Sequence, residues 1–311
     1  MSVYTVVSQT ELETFLTQYK LGKLVDFKGI SEGIENTNYF VTTTEGEFVL
    51  TLFEQYSADE LPFFLELMAY LAEHEIPSAH PLADKQNHYL RKLNGKPAAF
   101  VRRLAGKSVI VPNVTQCCEI GCALGQFHAI SPDFSYFREN GRGLEWWQAT
   151  SQQVMSLLPS EDAKLLQNEL DFQLNYKELD LPGGVTHADL FCDNALFQGN
   201  KLSGILDFYY ACNDSFLFDL AVTVNAWCTL EDYSLDDVRV NRVLAGYTKH
   251  RKLTQAECKV WPVMLRAAAL RFWLSRLQDK LFPREGEMTQ VKNPDEYKNI
   301  LKNRLTVKPL N

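Results

Sequence analysis

The stretch Val185–Phe208, "VTHADLFCDNALFQGNKLSGILDF", decides how this chain is read. Two carboxylates and an amide, Asp189, Asn194 and Asp207, stand among apolar residues, where an unpaired charge is costly and needs a partner. "ALFQ" and "KLSGIL" flank Gly199-Asn200, a two-residue hairpin signal, so Gln198 is expected to face Lys201 and Asn194 to face Ile205. Asp207 then falls two positions beyond Ile205, on the order of 7 Å from Asn194 along the pleat. One cation can be shared by both. A small set of oxygen ligands suits Mg²⁺, which keeps waters and takes further ligands from substrate phosphates. Asp189, five residues before Asn194, is left to face a substrate.

Outside this stretch the chain falls into two parts. The first hundred residues alternate in strand fashion, with turn signals at Gly46 and Asn94-Gly95. An N-terminal helix is opened by the capping box Ser8-x-x-Glu11, and a second helix is expected from about 57 to 74, opened by Ser57-x-x-Glu60. Beyond Leu104 helical periodicity takes over, in about 114–130, 144–178, 216–230, 236–250 and 254–280. Long loops are expected around "SPDFSYFRENGRG" and in the polar tail after Phe282. The expected class is α+β and bilobal: a sheet-rich N-terminal part, 1–104, and a larger helical part, 105–311.

With 311 residues and a formal net charge of −8, the chain argues against a nucleic-acid partner bound through phosphates. No run of 18 apolar residues occurs, and the N-terminus lacks the basic-then-apolar pattern of a secretory signal. The seven cysteines, Cys117, Cys118, Cys122, Cys192, Cys212, Cys228 and Cys258, have neither disulfide pairing nor zinc spacing and read as small apolar residues of a cytoplasmic protein.

The pattern His187-x-Asp189-x-x-x-x-Asn194, then Asp207-Phe208, matches the layout of protein kinases: catalytic-loop Asp, metal-binding Asn, and a second metal-binding Asp after a hairpin. His187 is expected to brace the loop. Asp219, in "SFLFDLAV", is expected to hold the loop's backbone amides. Upstream, Gly29 and Gly33 in "KGISEGIENTNYFV" mark a bend where amides can approach phosphate oxygens.

With these motifs the chain resembles the aminoglycoside phosphotransferase and choline kinase superfamily. Within it, the blocks "ISEGIENTNYFV", "ELPFFLELMAYL", "HADLFCDNALF", "FDLAVTVNAWC" and "LRAAALRFWLSRL" look like the kinase-like homoserine kinases. The resemblance implies a protein-kinase-like fold and ATP-dependent phosphorylation of L-homoserine, a step of threonine biosynthesis. It implies Asp189 as base, Asn194 and Asp207 as Mg²⁺ ligands, Gly29, Ser31 and Gly33 over the phosphates, and Phe100 to Leu104, with Arg103, beside adenine. One departure stands out: Thr51 occupies the place of the strand lysine that reaches the phosphates in most of the superfamily. Arg266 and Arg271, set among alanines and aromatics, need acidic partners, either a protein carboxylate or that of homoserine. Tyr209, Tyr210 and Trp227 keep an aromatic cage for choline or ethanolamine open, beside methylthioribose and aminoglycoside acceptors. The missing lysine keeps open an inactive nucleotide-binding module.

Overall fold

The computed structural model describes residues 4–30, 36–177, 179–283 and 292–310. The chain divides into two compact units, Met1–Gly106 with Ser203–Leu206, and Lys107–Leu202 with Asp207–Asn311. The first break falls beside the Leu104/Ala105 boundary of the sequence reading, which did not foresee the return of Ser203–Leu206.

In the first unit, α1 (Gln9–Leu16) opens with the Ser8 and Glu11 capping box in both directions. It precedes β1 (Leu24–Gly29), β2 (Asn36–Thr43), β3 (Gly46–Phe53), α2 (Leu61–Glu73), β4 (Arg91–Leu93) and β5 (Lys96–Arg102). The strands form one antiparallel sheet in the order β1-β2-β3-β5-β4. Asn94 (φ 49°) and Gly95 (φ 82°) both take the left-handed conformation that a two-residue hairpin demands. Phe15, Leu50, Leu52 and Phe100 centre the core, with Tyr19 edge-on to Phe100 at 5.1 Å. The helix α2 begins three residues later than the capping pattern suggests, with Glu60 in place of Ser57 at the N-cap. Ser57 and Glu60 do bond, through the Ser57 amide and hydroxyl donating to Glu60 Oε2, but as a turn ahead of the helix. Pro62 then falls in the first helical turn, where its missing N–H costs nothing.

The second unit is mainly helical. Its elements are α3 (Val114–Ile130), α4 (Leu144–Val154), α5 (Ser160–Leu174), β6 (Gly183–Thr186), β7 (Ala195–Gln198), β8 (Lys201–Ile205, which runs across the division into the first unit), β9 (Cys212–Ser215), α6 (Phe216–Trp227), α7 (Asp237–Tyr247), α8 (Gln255–Leu281) and α9 (Pro294–Arg304). β6 pairs with β9, and β7 with β8. Two expectations change. The helix expected over 144–178 ends at Val154, passes through a 3-10 turn, Met155–Leu157, and restarts as α5 after Pro159. The tail after Phe282 carries α9, capped by Asn293 with Pro294 as its first residue; its polar sequence hid Tyr297, Ile300 and Leu301, which are buried. Arg304 ends α9 fully buried, its guanidinium donating to Asn225 Oδ1, Thr229 Oγ1, Asn303 Oδ1 and the Tyr233 carbonyl. Within α8, Pro262 leaves the Cys258 carbonyl without its helical donor, and the Leu310 amide supplies one at 3.1 Å. All seven cysteines are free.

Glycines set the approach of α3 and α7. A Cβ on Gly121 would collide with the Val243 carbonyl oxygen, and one on Gly246 with the Cys118 carbonyl oxygen, so the two backbones touch. Gly121→Ala is therefore expected to destabilise the protein by about 1–3 kcal/mol, the cost of overpacking a rigid contact. Denaturant melts read this directly; an unchanged midpoint would show that α7 moves away freely.

Candidate active site

The second unit holds every residue of the His187–Asn194 loop, together with Asp207, Asp219 and Arg271. β6 leads into the loop and a 3-10 turn, Cys192–Asn194, leads out to β7, so Asn194 ends the turn just before the strand begins.

Four sets of hydrogen bonds hold the loop. Buried Asp219 accepts the His187 amide on Oδ2 at 2.7 Å and the Ala188 amide on Oδ1 at 2.8 Å. The Asp189 amide donates to His187 Nδ1 at 3.3 Å. Trp227 Nε1 donates to the Leu190 carbonyl at 2.9 Å. Asn194 Nδ2 donates to the Asp189 carbonyl at 2.8 Å and to its Oδ2 at 3.2 Å. This network sustains a strained backbone: Ala188 has φ 60°, a left-handed conformation that costs an alanine of order 1 kcal/mol or more. Asp207 is left-handed too, at φ 61°, and exposed. Phe208 beside it is buried, 4.8 Å from the His187 ring.

Asp189 keeps 18% of its side chain exposed. Burial pushes its carboxyl up to about 7; the Arg271 cation opposes the rise and the Asp207 charge adds to it. A carboxylate poised near neutrality suits acceptance of a hydroxyl proton. Asn194 directs its amide nitrogen at Asp189, so its Oδ1, with no donor among the described residues, is the atom left for a cation. Asn194 Oδ1 and the Asp207 carboxylate are hard oxygen donors of the kind that Mg²⁺ takes together with phosphates and water.

Arg271 lies on α8 with 3% of its surface exposed. Its Nη1 is 3.8 Å from Asp189 Oδ1, and the guanidinium sits over the rings of Phe272 (3.9 Å) and Tyr210 (5.0 Å). It makes no hydrogen bond among the described residues. Burial lowers its pKa, as expected for a cation held out of water. Arg142, half-buried on Trp146 and bonded to Gln278, contributes a second positive charge nearby. Arg266 differs. It forks onto buried Glu169, with Nε 3.0 Å and Nη2 2.5 Å from Oε2, and stacks on Phe172, so its charge is matched inside the protein.

Of the residues expected over the nucleotide, Gly29 ends β1, while Ser31 and Gly33 lie outside the described residues. Arg103 pairs with Glu47 at 3.2 Å and lies over the Phe40 ring; Leu104 follows it, half-buried. Thr51 is buried in β3, its hydroxyl donating to Asn38 Oδ1 at 2.7 Å. Two supports of the loop escaped the sequence reading. Trp227 had suggested only an aromatic cage, and His128, which donates to Asp219, gave no signal beyond being a lone histidine in the apolar "GQFHAI".

No described helix is long and apolar enough to cross a membrane. Residues 26–253 match the model of the phosphotransferase enzyme family. The chain is 47% identical to the homoserine kinase of Methylobacillus flagellatus over 99% of its own length and 97% of that protein's, and 42% identical to that of Neisseria meningitidis over 97% and 99%. Among solved structures, an amicoumacin kinase in complex with AMP-PNP and Ca²⁺ superposes with a TM-score of 0.72 at 17% identity, covering 96% of this chain and 92% of that one. Choline kinase from Cryptosporidium parvum gives 0.67 at 13% identity, with coverage of 96% and 94%. Those two likenesses carry the protein-kinase-like fold, and the close sequence relatives carry the branch: the chain belongs to the phosphotransferase enzyme family and, within it, to the homoserine kinases.

Proposed function

We propose that the protein transfers the γ-phosphoryl group of ATP to the side-chain hydroxyl of L-homoserine, giving O-phospho-L-homoserine and ADP. The observation that carries the choice of acceptor is Arg271: a buried guanidinium beside the base, with no hydrogen-bond acceptor among the described residues, calls for an external anion. A carboxylate-bearing alcohol supplies one. Choline, ethanolamine and aminoglycosides bring a cation to a cation. Two members of the aromatic cage they would need are engaged elsewhere, since Tyr210 faces Arg271 and Trp227 is buried with its Nε1 on the loop.

In this reading Asp189 accepts the hydroxyl proton as the new O–P bond forms, with Asn194 Nδ2 fixing the carboxylate's orientation. Arg271 holds the homoserine carboxylate so that the hydroxyl lies against Asp189. Asn194 Oδ1 and Asp207 would hold Mg²⁺, which when bound neutralises charge on the transferring phosphate. Gly29, Ser31, Gly33, Arg103 and Leu104 are the proposed nucleotide contacts. ADP release with Mg·ATP should require L-homoserine and fail with choline, ethanolamine or an aminoglycoside. Turnover of any of these three without turnover of homoserine would sink the proposal.

A further inference from the structure

The support of the catalytic loop does not stop at Asp219. His128 Nε2 lies 3.0 Å from Asp219 Oδ2, and His128 Nδ1 lies 2.8 Å from the Tyr247 hydroxyl. Arg251 Nη1 donates to that hydroxyl at 3.0 Å, and Arg251 Nη2 lies 2.7 Å from Glu257 Oε1. Glu257 is itself fixed by the capping box of α8, accepting the Thr254 amide on Oε2. His128, Asp219, Tyr247 and Glu257 are all buried, on α3, α6, α7 and α8.

The protons in this chain can be placed by elimination. Asp219 already accepts two backbone amides, so it faces His128 as an acceptor and His128 Nε2 carries the hydrogen. Arg251 can only donate, so the Tyr247 oxygen accepts from it and turns its own hydrogen to His128 Nδ1. Arg251 at one end and Asp219 at the other thereby impose the same direction on the bonds through Tyr247 and His128. Reversal would require a histidine cation in a fully buried position, stacked on Phe216 at 4.6 Å.

We propose that Tyr247 and Arg251 are positioning residues of the phosphoryl transfer: by holding His128 in its neutral Nε2–H form they let Asp219 grip the His187 and Ala188 amides in the turn that aims Asp189. The proposal rests on Asp189 being the base. Tyr247→Phe keeps the ring and removes the relay's central oxygen. It should lower kcat about tenfold, with KM for homoserine and for ATP within a factor of about two. His128→Gln can still donate to Asp219 while needing nothing from Tyr247. In that background Tyr247→Phe should cost no further kcat, whereas a packing role would repeat its loss in full.

Arg251→Met tests the relay without touching Tyr247, should Tyr247→Phe fold poorly; the same selective fall in kcat is expected. Unchanged kcat in Tyr247→Phe or Arg251→Met, or losses that add in the double variant, would overturn the relay. An Asp189→Asn enzyme that keeps wild-type kcat would instead overturn the assignment of the base, so the two failures are told apart.

Discussion

Asp189→Asn is expected to lower kcat by about 10²–10⁴-fold, the contribution of a positioned general base, while Mg·ATP affinity stays close to that of the parent enzyme. The backbone carbonyl of residue 189 still receives Asn194 Nδ2, and Asp219 still holds the two preceding amides, so the loop keeps its shape. Proton acceptance is lost, together with the negative charge 3.8 Å from Arg271. Asp207→Ala should behave differently, losing Mg²⁺-dependent nucleotide binding and turnover together, with Asn194→Ala a milder version. Nucleotide titrations with and without Mg²⁺, set beside steady-state kinetics, separate the two patterns. Loss of nucleotide binding in Asp189→Asn, with full activity in Asp207→Ala, would require base and metal ligand to change places.

Arg271→Lys is expected to raise KM for homoserine about 10- to 150-fold, equivalent to roughly 1.5–3 kcal/mol for hydrogen bonds to a charged group, with KM for ATP little changed. Lysine keeps the charge but cannot form the two parallel bonds of a guanidinium on a carboxylate. The melting temperature should hardly move, because Arg271 makes no hydrogen bond among the described residues and lies 3.8 Å from Asp189. Arg266→Lys is the control, five residues earlier on the same helix. It breaks the fork on Glu169, so the melting temperature should fall while KM for homoserine stays put. A homoserine KM that ignores Arg271→Lys in a stable enzyme would remove the substrate role.

Much of this was legible in the chain because it depends on local rules. The capping box at Ser8, the hairpin at Asn94-Gly95 and the one at Gly199-Asn200 need only neighbouring residues, and a helix at 114–130 follows from a 3.6-residue period. The spacing from Asp189 to Asn194 and Asp207 carried the expectation of a kinase site, since a loop and a hairpin of fixed length limit how far apart such groups can lie. Local patterns failed where packing overrules them: α9 reads as a polar tail until α8 buries Tyr297, and Pro62 moves the start of α2.

Tertiary structure alone distinguished the two arginines of α8. In the sequence Arg266 and Arg271 are alike, two cations in one apolar helix; α5 brings Glu169 to the first, and the catalytic loop brings only the edge of Asp189 to the second. It also decided the buried route from Glu257 through Arg251, Tyr247 and His128 to Asp219, which joins the α7–α8 junction to α3 and α6 through two contacts between residues distant in sequence. No spacing rule could reveal that route, because a hydrogen bond between helices depends on how their faces pack, and faces are set by the whole core.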